Sequence, residues 1–167
     1  MTNFPPECDL TQFHSCSDAL YWHGCYGSET FWKKYVTPES FAHPAKMSFL
    51  LCDRIFKHLE KLGLLNKSDI VTDFMAGSGR TNIVASLRGY DSIAVELEPH
   101  FIKMINDNVA LTKKQINRNV NVQVIKGDSR KLSEILTGEA VGIVSLPYSE
   151  AENRTKYKWQ DGRVSAM

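Results

Sequence analysis

The stretch Ile70-Val71-Thr72-Asp73-Phe74-Met75-Ala76-Gly77-Ser78-Gly79 constrains this chain more than any other. A short apolar run ends at an acid, a loop with two glycines follows, and Thr81 to Leu87 can be a helix. Strand, tight turn and helix in this order let a parallel sheet hold a nucleotide-like ligand at its carboxyl edge. Gly77 and Gly79 allow the backbone to turn sharply and to approach a ligand with no Cβ between them. A dinucleotide fingerprint asks for a third glycine where this chain has Asn82, so the loop alone does not name its ligand.

The segments downstream repeat the pattern. Ser92 to Glu96 reads as a second strand ending in an acid, 23 positions after Asp73. A carboxylate at the tip of the neighbouring strand suits a pair of ribose hydroxyls. A third strand, Val120 to Ile125, leads to Gly127-Asp128, and a fourth, Val141 to Val144, leads to Ser145-Leu146-Pro147-Tyr148. Small or polar groups at four successive strand ends place a site along one sheet edge. Between the strands lie helical patterns. Leu51, Ile55, Leu59 and Leu62 share one face of a helix from about Met47 to Leu62, which Gly63 ends. Pro99 sits well in the first turn of the next helix, whose core face is Phe101, Ile105 and Val109. A short helix from Ser129 to about Leu136 precedes the fourth strand. This alternation predicts an α/β fold with a parallel sheet, flanking helices and right-handed crossovers.

Three segments together resemble one family. Asp73-Phe74-Met75-Ala76-Gly77-Ser78-Gly79 is similar to motif I of the S-adenosylmethionine-dependent DNA methyltransferases that modify exocyclic amino groups. Ser145-Leu146-Pro147-Tyr148 is similar to their catalytic tetrapeptide, and His43-Pro44-Ala45-Lys46 resembles their motif X. The resemblance covers about Phe41 to Tyr148, and the order X, I, tetrapeptide carries it. It implies a Rossmann-like class I methyltransferase fold with S-adenosylmethionine as cofactor. The cofactor would lie against Asp73, Phe74, Ala76, Gly77, Ser78 and Gly79, with Glu96 on the ribose and Asp128 near the adenine. His43, Ala45 and Lys46 would face its methionine carboxylate, and Ser145 would border it.

The resemblance also implies a mechanism. An exocyclic amino nitrogen is a poor nucleophile because its lone pair is delocalised into the ring. Acceptors aimed at the amino protons localise that pair as the methyl group approaches in line, which is positioning plus charge stabilisation. The Ser145 hydroxyl and the Leu146 carbonyl are the implied acceptors, Pro147 belongs to the same catalytic motif, and Tyr148 stacks on a base flipped out of duplex DNA. Leu146 departs from the family, where a first proline is usual; its carbonyl survives, but the fixed φ of proline is lost. No Pro-Cys occurs, so cytosine C5 chemistry is not indicated, and the choice between adenine and cytosine stays open.

Composition adds bounds. A chain of 167 residues with 43% hydrophobic and 23% charged content suggests one globular domain. A net charge of +1 gives no strong basic footprint for nucleic acid. No apolar run approaches a membrane span and the amino terminus lacks a signal-peptide pattern, so a cytoplasmic protein without a membrane partner is expected. Cys8, Cys16, Cys25 and Cys52 are then free thiols; His14-Ser15-Cys16 and His23-Gly24-Cys25 offer zinc ligands, but at spacings that match no closed zinc site. No metal is expected.

Residues 1–40 read as an amino-terminal arm, 41–148 as the methyltransferase core and 149–167 as a polar tail. The arm carries Tyr21-Trp22-His23 and Thr30-Phe31-Trp32-Lys33-Lys34-Tyr35, read as aromatics packing on the domain in preference to a nucleic-acid stacking surface. A methyltransferase sheet of this type has seven strands and about four are legible, so the carboxyl-terminal half is expected to come from a longer protein or a partner chain. The chain alone is then expected to methylate DNA poorly. An RNA or protein methyltransferase, a nicotinamide-dependent oxidoreductase and a catalytically silent cofactor-binding module are the other readings.

Overall fold

The computed structural model describes residues 13–16, 19–22, 30–42, 47–116, 119 and 121–146. Strands β1 (Phe13–Cys16) and β2 (Ala19–Trp22) form an antiparallel pair. Two 3-10 helices, Thr30–Tyr35 and Pro38–Ala42, lead towards helix α1 (Phe49–Lys61). There follow β3 (Val71–Asp73), α2 (Arg80–Arg88), β4 (Ser92–Glu96), α3 (Pro99–Gln115) and β5 (Val122–Lys126). A 3-10 turn, Ser129–Lys131, runs into the short helix α4 (Leu132–Ile135) and then β6 (Val141–Gly142).

The four later strands form one parallel sheet in the order β5-β4-β3-β6. The expected α/β class is what the chain adopts. From β3 the chain steps one way to β4 and β5, then returns to the other side of β3 as β6. The strand order therefore reverses beside β3, and a crevice opens at the carboxyl ends of β3 and β6.

Two apolar clusters support this arrangement. The larger contains Trp32, Tyr35, Phe49, Phe56, Val71, Ile83 and Val84, all at most 1% exposed. Trp32 stacks on Phe49, ring centroids 4.6 Å apart and planes 4° from parallel. The aromatics at 32 and 35 are thus committed to the core, as burial of large rings favours, and cannot serve as an open stacking surface. The second cluster joins Ala76 and Ala94 to Ile105 and Val109 of α3. Gly79, at φ +76°, lies where an added Cβ would come within 3.1 Å of Ile105, so α3 packs this closely only against glycine.

Away from the crevice, α1 and α2 are joined by an ionic group. Arg88 donates to Asp53 at 2.8 Å and also to Glu60, while Glu60 accepts from Lys67 at 2.9 Å and from the Tyr90 hydroxyl at 2.5 Å. Burial pushes Glu60 upward, but bonds from Lys67, Tyr90 and Arg88 outweigh it and hold the carboxyl at about 2. Among the described residues no helix is long and apolar enough to cross a membrane.

Candidate cofactor site

The site begins with hydrogen bonds of β6. Val141 donates its amide to Ile70 and Ile143 to Thr72, at 2.9 and 3.0 Å. This pairing carries the chain two residues further, so that Ser145 reaches the loop after β3. A cleft there is bordered by Asp73, Ala76, Gly77 and Ser78 on one side and by Ser145 on the other. Thus five of the residues assigned from sequence share one concave surface at the reversal of strand order. Ser145 is half-buried, whereas Leu146 is 59% exposed.

Met47, Arg80 and Thr81 also line this cleft, and the sequence reading did not assign them. Arg80, the first residue of α2, is buried, donates to the Met47 carbonyl at 3.0 Å and stacks its guanidinium 4.3 Å over the Phe49 ring. Their signal in the sequence is adjacency: Met47 follows the motif X-like segment and Arg80-Thr81 follows the glycine loop.

The loop is held from two directions. Gly77, at φ 52°, donates its amide to Oε2 of Glu96 at 2.8 Å. The other Glu96 oxygen accepts from the amides of Leu97 and Glu98 at 2.8 and 3.0 Å. A carboxylate offers about four lone-pair sites, so one stays open for a hydroxyl; a second hydroxyl must displace a backbone donor. On the other side, the carbonyl of the buried Ser78 accepts from Nδ2 of Asn108 at 2.8 Å.

Asp73 is 3% exposed and accepts from the Met75 amide at 3.1 Å. Burial pushes its carboxyl up to about 6; a hydrogen bond from Thr81 and that from Met75 oppose the rise, and the Glu96 charge adds to it. Behind Thr81, burial also pushes the Cys52 thiol up, so it is inert at neutral pH. Phe74 turns its carbonyl to the Ser129 hydroxyl, which ties the turn after β5 to the turn after β3.

Asp128 follows the end of β5, as its assignment requires, but its carboxylate is occupied. It accepts from the Arg130 amide at 3.0 Å and from the Arg130 guanidinium at 2.6 to 3.1 Å. Those bonds hold its carboxyl down at about 2. Any contact with an adenine amino group requires Arg130 to swing away. His43, Ala45, Lys46, Pro147 and Tyr148 lie outside the described residues, as do Cys8, Cys25 and His23 and the side chains of His14 and Cys16. Among the described residues no three His, Cys, Asp or Glu side chains gather as a metal site.

The family model for DNA methylases of the N6/N4 type matches residues 15–107. The type II methyltransferase M.BglI of Bacillus subtilis is 33% identical over 92 residues, which are 55% of this chain and 24% of that protein. The chain therefore matches about a quarter of the length of this curated relative. A crystal structure from Pyrococcus horikoshii, PH1948, described as an RNA methyltransferase, aligns with a TM-score of 0.50 at 20% identity. The alignment covers 66% of this chain and 52% of that one, a likeness of fold. The Podospora anserina methyltransferase PaMTH1, solved with S-adenosylhomocysteine bound, aligns with a TM-score of 0.47 at 14% identity, over 76% of this chain and 49% of that one. With its strand order, its glycine loop and a family match across more than half of its 167 residues, this chain belongs to the N6/N4 DNA methylase family.

Proposed function

We propose that the cleft between Asp73–Ser78 and Ser145 binds S-adenosylmethionine, and that the protein methylates an exocyclic amino group of adenine or cytosine in DNA. The observation that carries the reading is the meeting of the glycine loop and Ser145 in one cleft at the strand-order reversal. The residues present fit such a cofactor. Gly77, at φ 52°, brings backbone without a Cβ to the edge of the cleft, and Glu96 retains acceptor capacity for a ribose hydroxyl. Bound S-adenosylmethionine supplies an electrophilic methyl group on sulfur.

The chain's own residues do the rest by position. Asp73, when ionised, gives the cleft a buried negative group suited to a cationic ligand. The Ser145 hydroxyl accepts from a target amino group, and the Leu146 carbonyl is the second acceptor. Removing one such acceptor typically costs a factor of roughly 100 or more in rate. His43, Ala45 and Lys46 complete the cofactor site, and Pro147 and Tyr148 the base site, in this reading. Duplex DNA with a flipped base is the proposed partner.

Incorporation of labelled methyl groups tests it, with duplex DNA, RNA and protein offered in parallel and Ser145→Ala beside the wild type. Label is expected at exocyclic amino groups of DNA, at whatever rate, and is lost with Ser145→Ala. Label in RNA or protein overturns the DNA assignment.

A further inference from the structure

We propose that Asn108 is a positioning residue that holds the glycine loop of the cofactor site to the segment Thr37 to Ser40; the inference rests on the cleft being that site. Asn108 is fully buried in the middle of α3, an uncommon place for an amide unless its hydrogen bonds are made. Its three side-chain hydrogen-bond partners lie outside its own helix. Oδ1 accepts from the Thr37 amide at 2.7 Å, across 71 positions of sequence. Nδ2 donates to the Ser40 hydroxyl at 2.6 Å and to the Ser78 carbonyl at 2.8 Å.

These partners fix which way the amide faces. The Thr37 N–H can only donate and the Ser78 C=O can only accept, so a flipped Asn108 would set donor against donor and acceptor against acceptor. One planar group therefore links two backbone segments at fixed separation. The first, Thr37 to Ser40, enters the 3-10 helix Pro38–Ala42. The second is the glycine loop. Ser78 lies between the two positive-φ glycines, 77 and 79. Glu96 holds this loop at the Gly77 amide and Asn108 holds it at the Ser78 carbonyl.

A neighbouring bond separates this role from general stability. Thr112, one turn further along α3, donates to the Tyr35 carbonyl at 3.2 Å. It ties the same arm to the same helix without touching the loop. Asn108→Asp and Thr112→Val thus both break an arm contact, but only the first alters the hold on Ser78. Asp at 108 keeps the acceptor for Thr37 and loses both donors.

The test follows the Gly77 and Gly79 amides by NMR in the ligand-free chain, with calorimetric titration of S-adenosylhomocysteine and thermal unfolding alongside. Asn108→Asp is expected to shift both glycine resonances, to speed exchange of the Gly77 amide and to weaken binding by roughly tenfold or more, as for a lost buried hydrogen bond. Ser40→Ala, which leaves the amide in place, gives the milder form, a loss of about threefold. Thr112→Val is expected to lower the unfolding temperature while leaving the glycine signals and the affinity within about twofold of wild type. Glycine signals unmoved by Asn108→Asp and Ser40→Ala, or moved equally by Thr112→Val, overturn the coupling. Moved glycine signals in a chain whose wild type does not bind the ligand sustain the coupling and defeat the cofactor reading instead.

Discussion

The amide of Gly77 donates to Oε2 of Glu96 across 2.8 Å, so the acid that ends β4 holds the loop that follows β3. In this family reading the same carboxylate faces a ribose, and the two duties converge on one side chain. Glu96→Ala removes three backbone hydrogen bonds as well as the ribose acceptor. A loss of roughly 1.5–3 kcal/mol in S-adenosylhomocysteine affinity is expected, the range for charge-assisted bonds. Calorimetry reads it directly, and unchanged affinity removes Glu96 from the site.

Asp73 makes the site sensitive to pH. Its folded value of about 6 stands above the ordinary 3.8 because burial disfavours the charge. Between those values the folded chain holds a proton that the unfolded chain releases. The contribution to stability is therefore complete below about 3.8 and lost as the pH rises through about 6. Asp73→Asn should raise stability at pH 8 by on the order of 2 kcal/mol and change it little at pH 4. Cofactor affinity should run the other way, falling in the wild type as pH drops below about 6 and staying flat in the Asp73→Asn variant. Urea unfolding and titration at several pH values separate the two trends.

The ionic group of α1 and α2 predicts the opposite acid behaviour. Glu60 is held at about 2 against an ordinary 4.5, so its contribution is present above 4.5 and is lost as the pH falls through about 2. Arg88→Met leaves Asp53 and Glu60 without the guanidinium that joins them, and should cost about 3 kcal/mol by urea unfolding. A variant as stable as wild type would show that Lys57 and Lys67 suffice.

Gly79→Ala tests the close approach of α3 to the loop. The left-handed backbone at φ +76° and the 3.1 Å approach to Ile105 act together. A loss of about 1–3 kcal/mol in stability is expected, with weakened cofactor binding. Gly63, also at positive φ but with open space around it, should lose only the conformational part when changed to Ala.

What the sequence revealed follows from physics that acts over short range. Apolar runs ending in acids located β3 and β4 almost to the residue, and the 4, 4, 3 spacing from Leu51 to Leu62 marked α1. It did not mark the core face of α1, which is Phe49, Cys52 and Phe56, while Leu51, Ile55 and Leu59 are half-buried and Leu62 is exposed. The third strand was expected at Val120 to Ile125 and lies at Val122–Lys126, because its register is set by pairing with β4, Glu96 opposite Lys126. The fourth is only Val141–Gly142 in formal pairing, since among the described strands β6 pairs with β3 alone. Arg130 on Asp128 is a local bond that the acid pattern conceals. Asn108 was out of reach because its partners lie 30 to 71 positions away, and no periodicity records such a distance.

Titration of the chain with S-adenosylhomocysteine, followed by amide chemical shifts, tests the assignment of this cleft to the cofactor. Saturable binding at one site is expected, with the largest shifts at Gly77, Ser78, Glu96 and Ser145 and none of comparable size for NAD. No binding, or shifts confined to surfaces away from the crevice between β3 and β6, would contradict it.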